Sequence, residues 1–254
     1  GLAVGTLQTL ASYQGRTDNP MTEEQPGRIM HERRSGLATE LALGGGELYY
    51  GTADATPLFV MLVEQAWRWG ASAEEIGALM PHVDRALEWI LTDGDRDGDG
   101  FVEYRRATDR GLANQGWKDS WDGVNFASGR LAEAPIALAE VQGYTYAAFA
   151  ARARLASAFG DEPTAHAWSE RAGKLRAAFN DAFWLPEQGW YAIALDGEKR
   201  PVDALTSNLG HCLWTGIVEE TRAAAVAEHL VSPQMFSGWG LRTLASSMGA
   251  YNPM

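Results

Sequence analysis

The distribution of apolar residues constrains the fold of this chain more than any other feature. Two kinds of helical segment alternate. Between Asp54 and Trp69 the residues are apolar nearly all round, with Leu58, Phe59, Val60, Met61, Leu62, Val63, Ala66 and Trp67, the pattern of a helix buried on every side. The next segment opens on Ser72 and Glu75 at capping-box spacing. It then sets Ile76, Leu79, Met80, Val83, Leu87 and Ile90 on one face, opposite Glu74, Asp84, Arg85 and Glu88. The pair recurs. Residues 139–159 are rich in alanine and aromatics, and Asp161 then caps a stretch in which Trp168, Ala172, Leu175 and Phe179 form a single stripe. It recurs again as an apolar run over 205–217 and an amphipathic one over 221–230. A plain bundle would be amphipathic throughout. The alternation instead predicts an all-α chain in two concentric layers, an α/α barrel whose inner helices carry a pocket at their ends.

The remaining segments fit as connections. Residues 5–13 read as a short helix, and residues 15–35 as a long polar loop. Gly44-Gly45-Gly46 reads as a turn, Glu47 to Tyr50 as a short extended piece, and Phe183 to Leu195 as a β hairpin with Gly189 in its turn. The chain begins in helical material without Met and stops at Tyr251-Asn252-Pro253-Met254, which reads as a turn. The expectation is one partial domain over residues 1–254, incomplete at both ends, with short β hairpins in its loops.

Charge and cysteine content remove several function classes. A net charge of −12 argues against nucleic acid or an anionic membrane as partner. The single cysteine, Cys212, allows no internal disulfide and no thiolate metal cluster, and its apolar neighbours predict a buried thiol. No run is long and apolar enough to span a bilayer. Gly1 to Gly5 lacks a basic region leading into an apolar one, so a cytoplasmic setting is the default. The ten tryptophans are more than a core needs, and part of the set is expected to line a cleft.

Two polar stretches carry candidate chemistry. In Asn114-Gln115-Gly116-Trp117-Lys118-Asp119-Ser120-Trp121-Asp122-Gly123, two carboxylates stand beside two indoles between long apolar runs. Such a set suits a site that holds a sugar face and donates a proton, and Trp121 is placed to raise the pKa of Asp122 by apolar contact. Asp93, Asp95, Asp97 and Asp99, with Gly98 at the sixth position, match the start of a calcium loop. The expected twelfth-position Glu is Tyr104, however, and Glu103 comes one place early. A bound Ca²⁺ stands there against a polar turn held by Asx hydrogen bonds. The five histidines, 31, 82, 166, 211 and 229, show no zinc spacing. With no phosphate loop and no Gly-x-Ser-x-Gly elbow, acid/base work by carboxylates remains. Glycoside hydrolysis needs one protonated carboxyl and a second across the sugar, about 6.5–9.5 Å away if the reaction inverts.

Tyr49-Tyr50-Gly51-Thr52-Ala53-Asp54-Ala55-Thr56, the run from Asp95 to Tyr104, the run from Asn114 to Asp122, Glu140-Val141-Gln142-Gly143-Tyr144 and Ser207-Asn208-Leu209-Gly210-His211 together resemble bacterial amylo-α-1,6-glucosidase proteins of glycogen-debranching type. These belong with the six-hairpin (α/α)6 glycoside hydrolases, which include glucoamylases, trehalases and mannosylglycerate hydrolases. The resemblance implies an inverting hydrolase of α-glucosidic linkages in glycogen or oligosaccharides, without organic cofactor. It implies Asp122 as general acid, with Asp119 competing. By position, Glu32, Tyr50, Asp54, Trp117, Lys118, Trp121, Glu140, Gln142 and Trp239 become substrate contacts. The general base is expected downstream of Tyr251-Asn252-Pro253, so the fragment alone is expected to be inactive and to self-associate through exposed inner helices. A sugar epimerase on the same barrel, a non-catalytic carbohydrate-binding fragment and a helical scaffold are the alternatives.

Overall fold

The computed structural model describes residues 1–36, 39 and 46–253; the turn expected at Gly44-Gly45 lies outside them. Helix α1 (Leu2–Ser12) buries Val4, Leu7 and Ala11 against α2 (Ala55–Arg68) and α3 (Ala73–Leu91). The long loop that follows is pinned to α3 at Gly27, where φ is +87° and a Cβ would lie 2.2 Å from the Arg85 carbonyl oxygen. Only glycine fits there. The loop ends in β1 (Glu32–Arg33), which pairs antiparallel with β2 (Leu48–Tyr49).

Three helical hairpins follow. In α2–α3, the Ser72 hydroxyl accepts from Glu75 N at 3.2 Å while the Glu75 carboxylate accepts from Ser72 N at 2.8 Å, so the capping box starts α3 as expected. Burial of Ile76, Leu79, Val83, Leu87 and Ile90, each worth roughly 1.5–3 kcal/mol, then seats its apolar face. The second hairpin joins α4 (Ala139–Ala158) to α5 (Glu162–Ala182), which starts where the Asp161 carboxylate accepts from Thr164 N at 3.2 Å. The third joins α6 (Asn208–Thr215) to α7 (Glu220–Leu230). Helix α4 packs between α2 and α6, with α3, α5 and α7 outside their partners. The two-layer order read from the sequence is therefore present over three hairpins.

One expectation changes. Helix α2 is not buried on every side: Gln65 and Arg68 are exposed, and Leu58, Met61, Leu62 and Trp67 are half-buried. Its neighbours α1, α3 and α4 cover only part of its circumference. Helix α4, flanked by α2, α5 and α6, shows the enclosure predicted for an inner helix.

Short strands tie the connections together. The segments β3 (Ala137–Leu138), β6 (Ala194–Leu195) and β7 (Pro201–Val202) form an antiparallel sheet in the order β3-β6-β7, and β4 (Trp184–Leu185) pairs with β5 (Trp190–Tyr191) in the expected hairpin. Gly189 takes φ +77° in its turn. The sheet stands immediately before α4, so it aims the first turn of the central inner helix.

Candidate active site

The N-terminal ends of the three inner helices supply one polar residue each to a common region. Asp54 is the N-cap of α2, Glu140 the second residue of α4, and Asn208 the first of α6. Carboxylates at helix N-termini meet the positive end of the backbone dipole, which makes these tolerable places for buried acid groups.

The Asn114–Gly123 loop is laid over this platform by buried amides. Ala53 N donates to the Gln115 carbonyl at 2.7 Å, and the Arg28 guanidinium donates to the Gln115 side-chain oxygen at 2.8 Å. Asn114 accepts from the Tyr104 hydroxyl and donates to the Ser120 carbonyl, both at 2.7 Å. Asn125 donates to the Asp122 carbonyl at 3.1 Å. At Gly116 a Cβ would meet Leu138 Cδ1 at 2.1 Å, so the chain passes close over the start of α4. Trp117 then emerges, 47% exposed.

Trp117 divides two adjoining clefts. One, of about 380 Å³, is lined by Trp117, Lys118, Asp119, Asp122, Thr243 and Leu244; the other, of about 510 Å³, by Trp117, Ser207, Gly210, His211, Trp214 and Leu241. The His211 ring lies 5.5 Å from Trp117, and its Nδ1 is 2.6 Å from the Tyr144 hydroxyl. An indole flanked by carboxylates and hydrogen-bonding groups is the surface a pyranose stacks on.

Glu140 lies beneath this surface, fully buried, with neither carboxylate oxygen hydrogen-bonded; the Asn208 amide lies beside it without completing a bond. Burial pushes the Glu140 carboxyl up to about 7, and the Asp54 charge pushes the same way. Burial also brings Lys118 down to about 8, although the Glu140 charge opposes this. Desolvation outweighs mutual attraction for both, so each is driven toward its neutral form. The Lys118 ammonium donates to the Thr243 carbonyl. Burial, then the Glu140 and Asp54 charges, raise Tyr144 and keep its proton on. Burial lowers His211 below its ordinary value, with Asp54 opposing.

Trp117, Lys118, Asp119 and Asp122 thus meet in one cleft, where the Glu140 charge acts on Lys118, and the Asp54 charge acts on His211 in the adjoining cleft. The other expected contacts do not join them. Trp121 is 71% exposed and Asp122 is itself exposed, so the apolar enclosure expected around that carboxyl is missing: the loop turns both outward through the Gly123 N to Ser120 carbonyl bond. Tyr50 is buried and donates to the Tyr13 carbonyl at 2.7 Å, a tie between loop and α1. Gln142 is buried, with its amide spent on Val102 N, Val102 O and Leu138 O. Glu32 pairs with Arg34, and Trp239 stands 99% exposed at a turn tip.

The acidic loop is a polar turn held by Asx hydrogen bonds, one of the two readings weighed from its sequence: Gly98 N and Gly100 N donate to the Asp95 carboxylate, Asp99 N to Asp97 and Phe101 N to Asp99. Asp95, Asp97 and Asp99 do draw together, but Asp93 turns to Gln25. The Lys199 ammonium sits 2.8 Å from Asp97, 2.7 Å from Asp99 and 2.8 Å from Glu103. A Ca²⁺ would have to displace it. No spacing rule marks Lys199, because it comes from the turn between β6 and β7. His211 and Tyr144 were within reach of the sequence, in the Ser207–His211 and Glu140–Tyr144 runs, but their contact crosses two helices.

Residues 7–254 match the model of the mannosylglycerate hydrolase MGH1-like glycoside hydrolase domain. The chain belongs to this family. It is therefore a glycoside hydrolase domain of MGH1-like type, and glycogen debranching is not the feature that the match singles out. The fold is similar to that of the GH63 mannosylglycerate hydrolase from Thermus thermophilus, solved in complex with Tris: TM-score 0.62, 14% identity, 95% of this chain and 72% of that one. An uncharacterized conserved protein from the same organism gives TM-score 0.61 at 15% identity, over 98% of this chain and 68% of that one. A rhamnosidase from Klebsiella oxytoca with rhamnose bound gives 0.51 at 18% identity, over 70% of this chain but only 30% of that enzyme. At these identities the likeness is one of fold. No curated protein sequence matches. Among the described residues no helix is long and apolar enough to cross a membrane.

Proposed function

We propose that this glycoside hydrolase domain cleaves short α-linked hexosides by inversion, with a carboxyl group of the Trp117–Asp122 loop as general acid and Asp122 preferred over Asp119. The observation that carries this reading is the convergence of Trp117, Lys118, Asp119 and Asp122 in one cleft over the N-terminal ends of α2, α4 and α6. On this reading the three hairpins are part of a six-hairpin (α/α)6 barrel. Trp117 holds the apolar face of the sugar, and the exposed carboxyls are free to reach a glycosidic oxygen. Inversion further requires a carboxylate across the ring to activate water, about 6.5–9.5 Å from the acid.

The family match favours a short glycoside of mannosylglycerate kind over a glycogen branch. Lys118 fits that preference: although burial brings it down to about 8, its amine stays mostly protonated at neutral pH and supplies a positive charge in the cleft wall to an anionic aglycone.

The test is hydrolysis of α-mannosylglycerate, α-glucosylglycerate and maltotriose by the intact protein and its Asp119→Asn and Asp122→Asn variants, with the released anomer followed by NMR. Asp122→Asn should cost ~10²–10⁴-fold in kcat and the first-formed sugar should be the β anomer. Loss confined to Asp119→Asn moves the acid to Asp119. Unchanged turnover in both variants rejects the loop as the source of the acid.

A further inference from the structure

We propose that His211, oriented by Tyr144, is a sugar-binding residue of the cleft that presents its Nε2–H to a hydroxyl of the bound hexoside. This rests on the reading of the cleft as a glycoside site and adds a residue to it.

The argument starts from the hydrogen atoms. Tyr144 is buried, and its hydroxyl has the His211 Nδ1 as partner at 2.6 Å. A phenol both donates and accepts, so the pair has two arrangements. Burial of the Tyr144 hydroxyl disfavours the phenolate, and the Glu140 and Asp54 charges act the same way, so the proton stays on the oxygen and the buried O–H needs an acceptor. The Nδ1 lone pair is that acceptor. With Nδ1 accepting, the neutral imidazole carries its hydrogen on Nε2.

The ring's surroundings fix where that hydrogen goes. His211 stands edge-on to Tyr144, with centroids 5.8 Å apart at 84°, and tilted 48° to Trp117. It lines the cleft of about 510 Å³ with Trp117, Trp214 and Leu241, and its first-turn position on α6 holds the ring at the inner-helix end. Besides the Ser207 hydroxyl, which has no partner among the described residues, the side chains around His211 are apolar, so a fixed Nε2–H donor beside the Trp117 face discriminates among hydroxyl configurations.

Two measurements on the intact protein test this. Long-range ¹H–¹⁵N spectra of the imidazoles should show His211 as the Nε2–H tautomer, and Tyr144→Phe should relax it toward a mixture. A His211 found as Nδ1–H overturns the proposal. Binding of methyl α-D-mannopyranoside and methyl α-D-glucopyranoside is then followed by tryptophan fluorescence. His211→Phe should weaken the better ligand ~10-fold, the value of one hydrogen bond, while His211→Gln, whose amide replaces Nε2–H, should stay within ~3-fold. Equal binding by His211→Phe and the unaltered protein overturns this inference alone. Absence of binding by the unaltered protein overturns the glycoside reading and this inference together. Deuterium entering C2 of D-glucose or D-mannose in D₂O would make His211 a base and likewise overturn it.

Discussion

Replacing Glu140 by glutamine tests the electrostatics of the site without touching its exterior. The carboxyl is fully buried, unpaired, and raised by burial from 4.5 to about 7. Below pH 4.5 it is protonated in both the folded and unfolded chain, so it contributes no pH dependence. Between about 4.5 and 7 the unfolded chain releases the proton and the folded chain keeps it, so stability falls as pH rises. Above 7 the loss is complete, and a shift of ~2.5 units is worth ~3 kcal/mol at 1.36 kcal/mol per unit. Glutamine has the same shape and cannot ionise. Relative to the wild type, Glu140→Gln should therefore gain ~3 kcal/mol between about pH 4 and pH 8. For a chain of this size that is a swing of roughly 6–12 °C in the difference of melting temperatures. Lys118 takes back a part, because it loses the charge that supports its protonation. Thermal unfolding by calorimetry or circular dichroism at about pH 4, 6 and 8 measures the swing directly. A difference in Tm that is flat with pH, or that turns against the variant at the alkaline end, refutes the reasoning. It would mean that a cation or solvent reaches the carboxylate.

Other consequences follow from single contacts. Lys199→Met leaves Asp97, Asp99 and the buried Glu103 facing one another, so it should cost about 2–4 kcal/mol, chiefly from the uncompensated Glu103; Glu103→Gln in the same chain should restore part of it. In that variant millimolar Ca²⁺ should raise Tm, whereas a Lys199→Met protein as stable as the wild type would remove the ammonium from any structural role. Gln142→Leu strands Val102 N–H and two carbonyls in the interior and should cost about 2–4 kcal/mol in denaturant unfolding, with no change in sugar specificity if the residue is only a clamp. Gly116→Ala should lose about 1–3 kcal/mol by overpacking Leu138 and should weaken glycoside binding by displacing Trp117, which fluorescence titration would report.

Much of the framework was legible in residue order. The Ser72–Glu75 box, the Asp161 cap, the α3 stripe and the turn at Gly189 are local features, set by bonds between residues a few positions apart, and each stands where expected. The candidate site was legible only in part. Residue type and neighbourhood singled out the loop from Asn114 to Gly123, and its Trp117, Lys118, Asp119 and Asp122 do share a cleft. The same reasoning placed Gln142, Tyr50, Glu32 and Trp239 among the contacts, because proximity in a motif does not say which way a side chain points. Gln142 turns inward because Val102, forty residues earlier, offers both a donor and an acceptor.

The sequence by itself determined the secondary structure and the layering, since helix periodicity and caps depend on spacings of a few residues. It also singled out the stretch from Asn114 to Gly123, four of whose side chains line one cleft. Tertiary structure alone decided the electrostatic character of that region. Glu140 departs from an ordinary first-turn glutamate because Gly116, Leu138 and the neighbouring helix ends close over it, and desolvation depends on what is packed around a group. Tertiary structure also filled the acidic loop with Lys199, an ammonium brought from a hairpin turn almost a hundred positions away, where a reading of the loop alone left room for a metal ion.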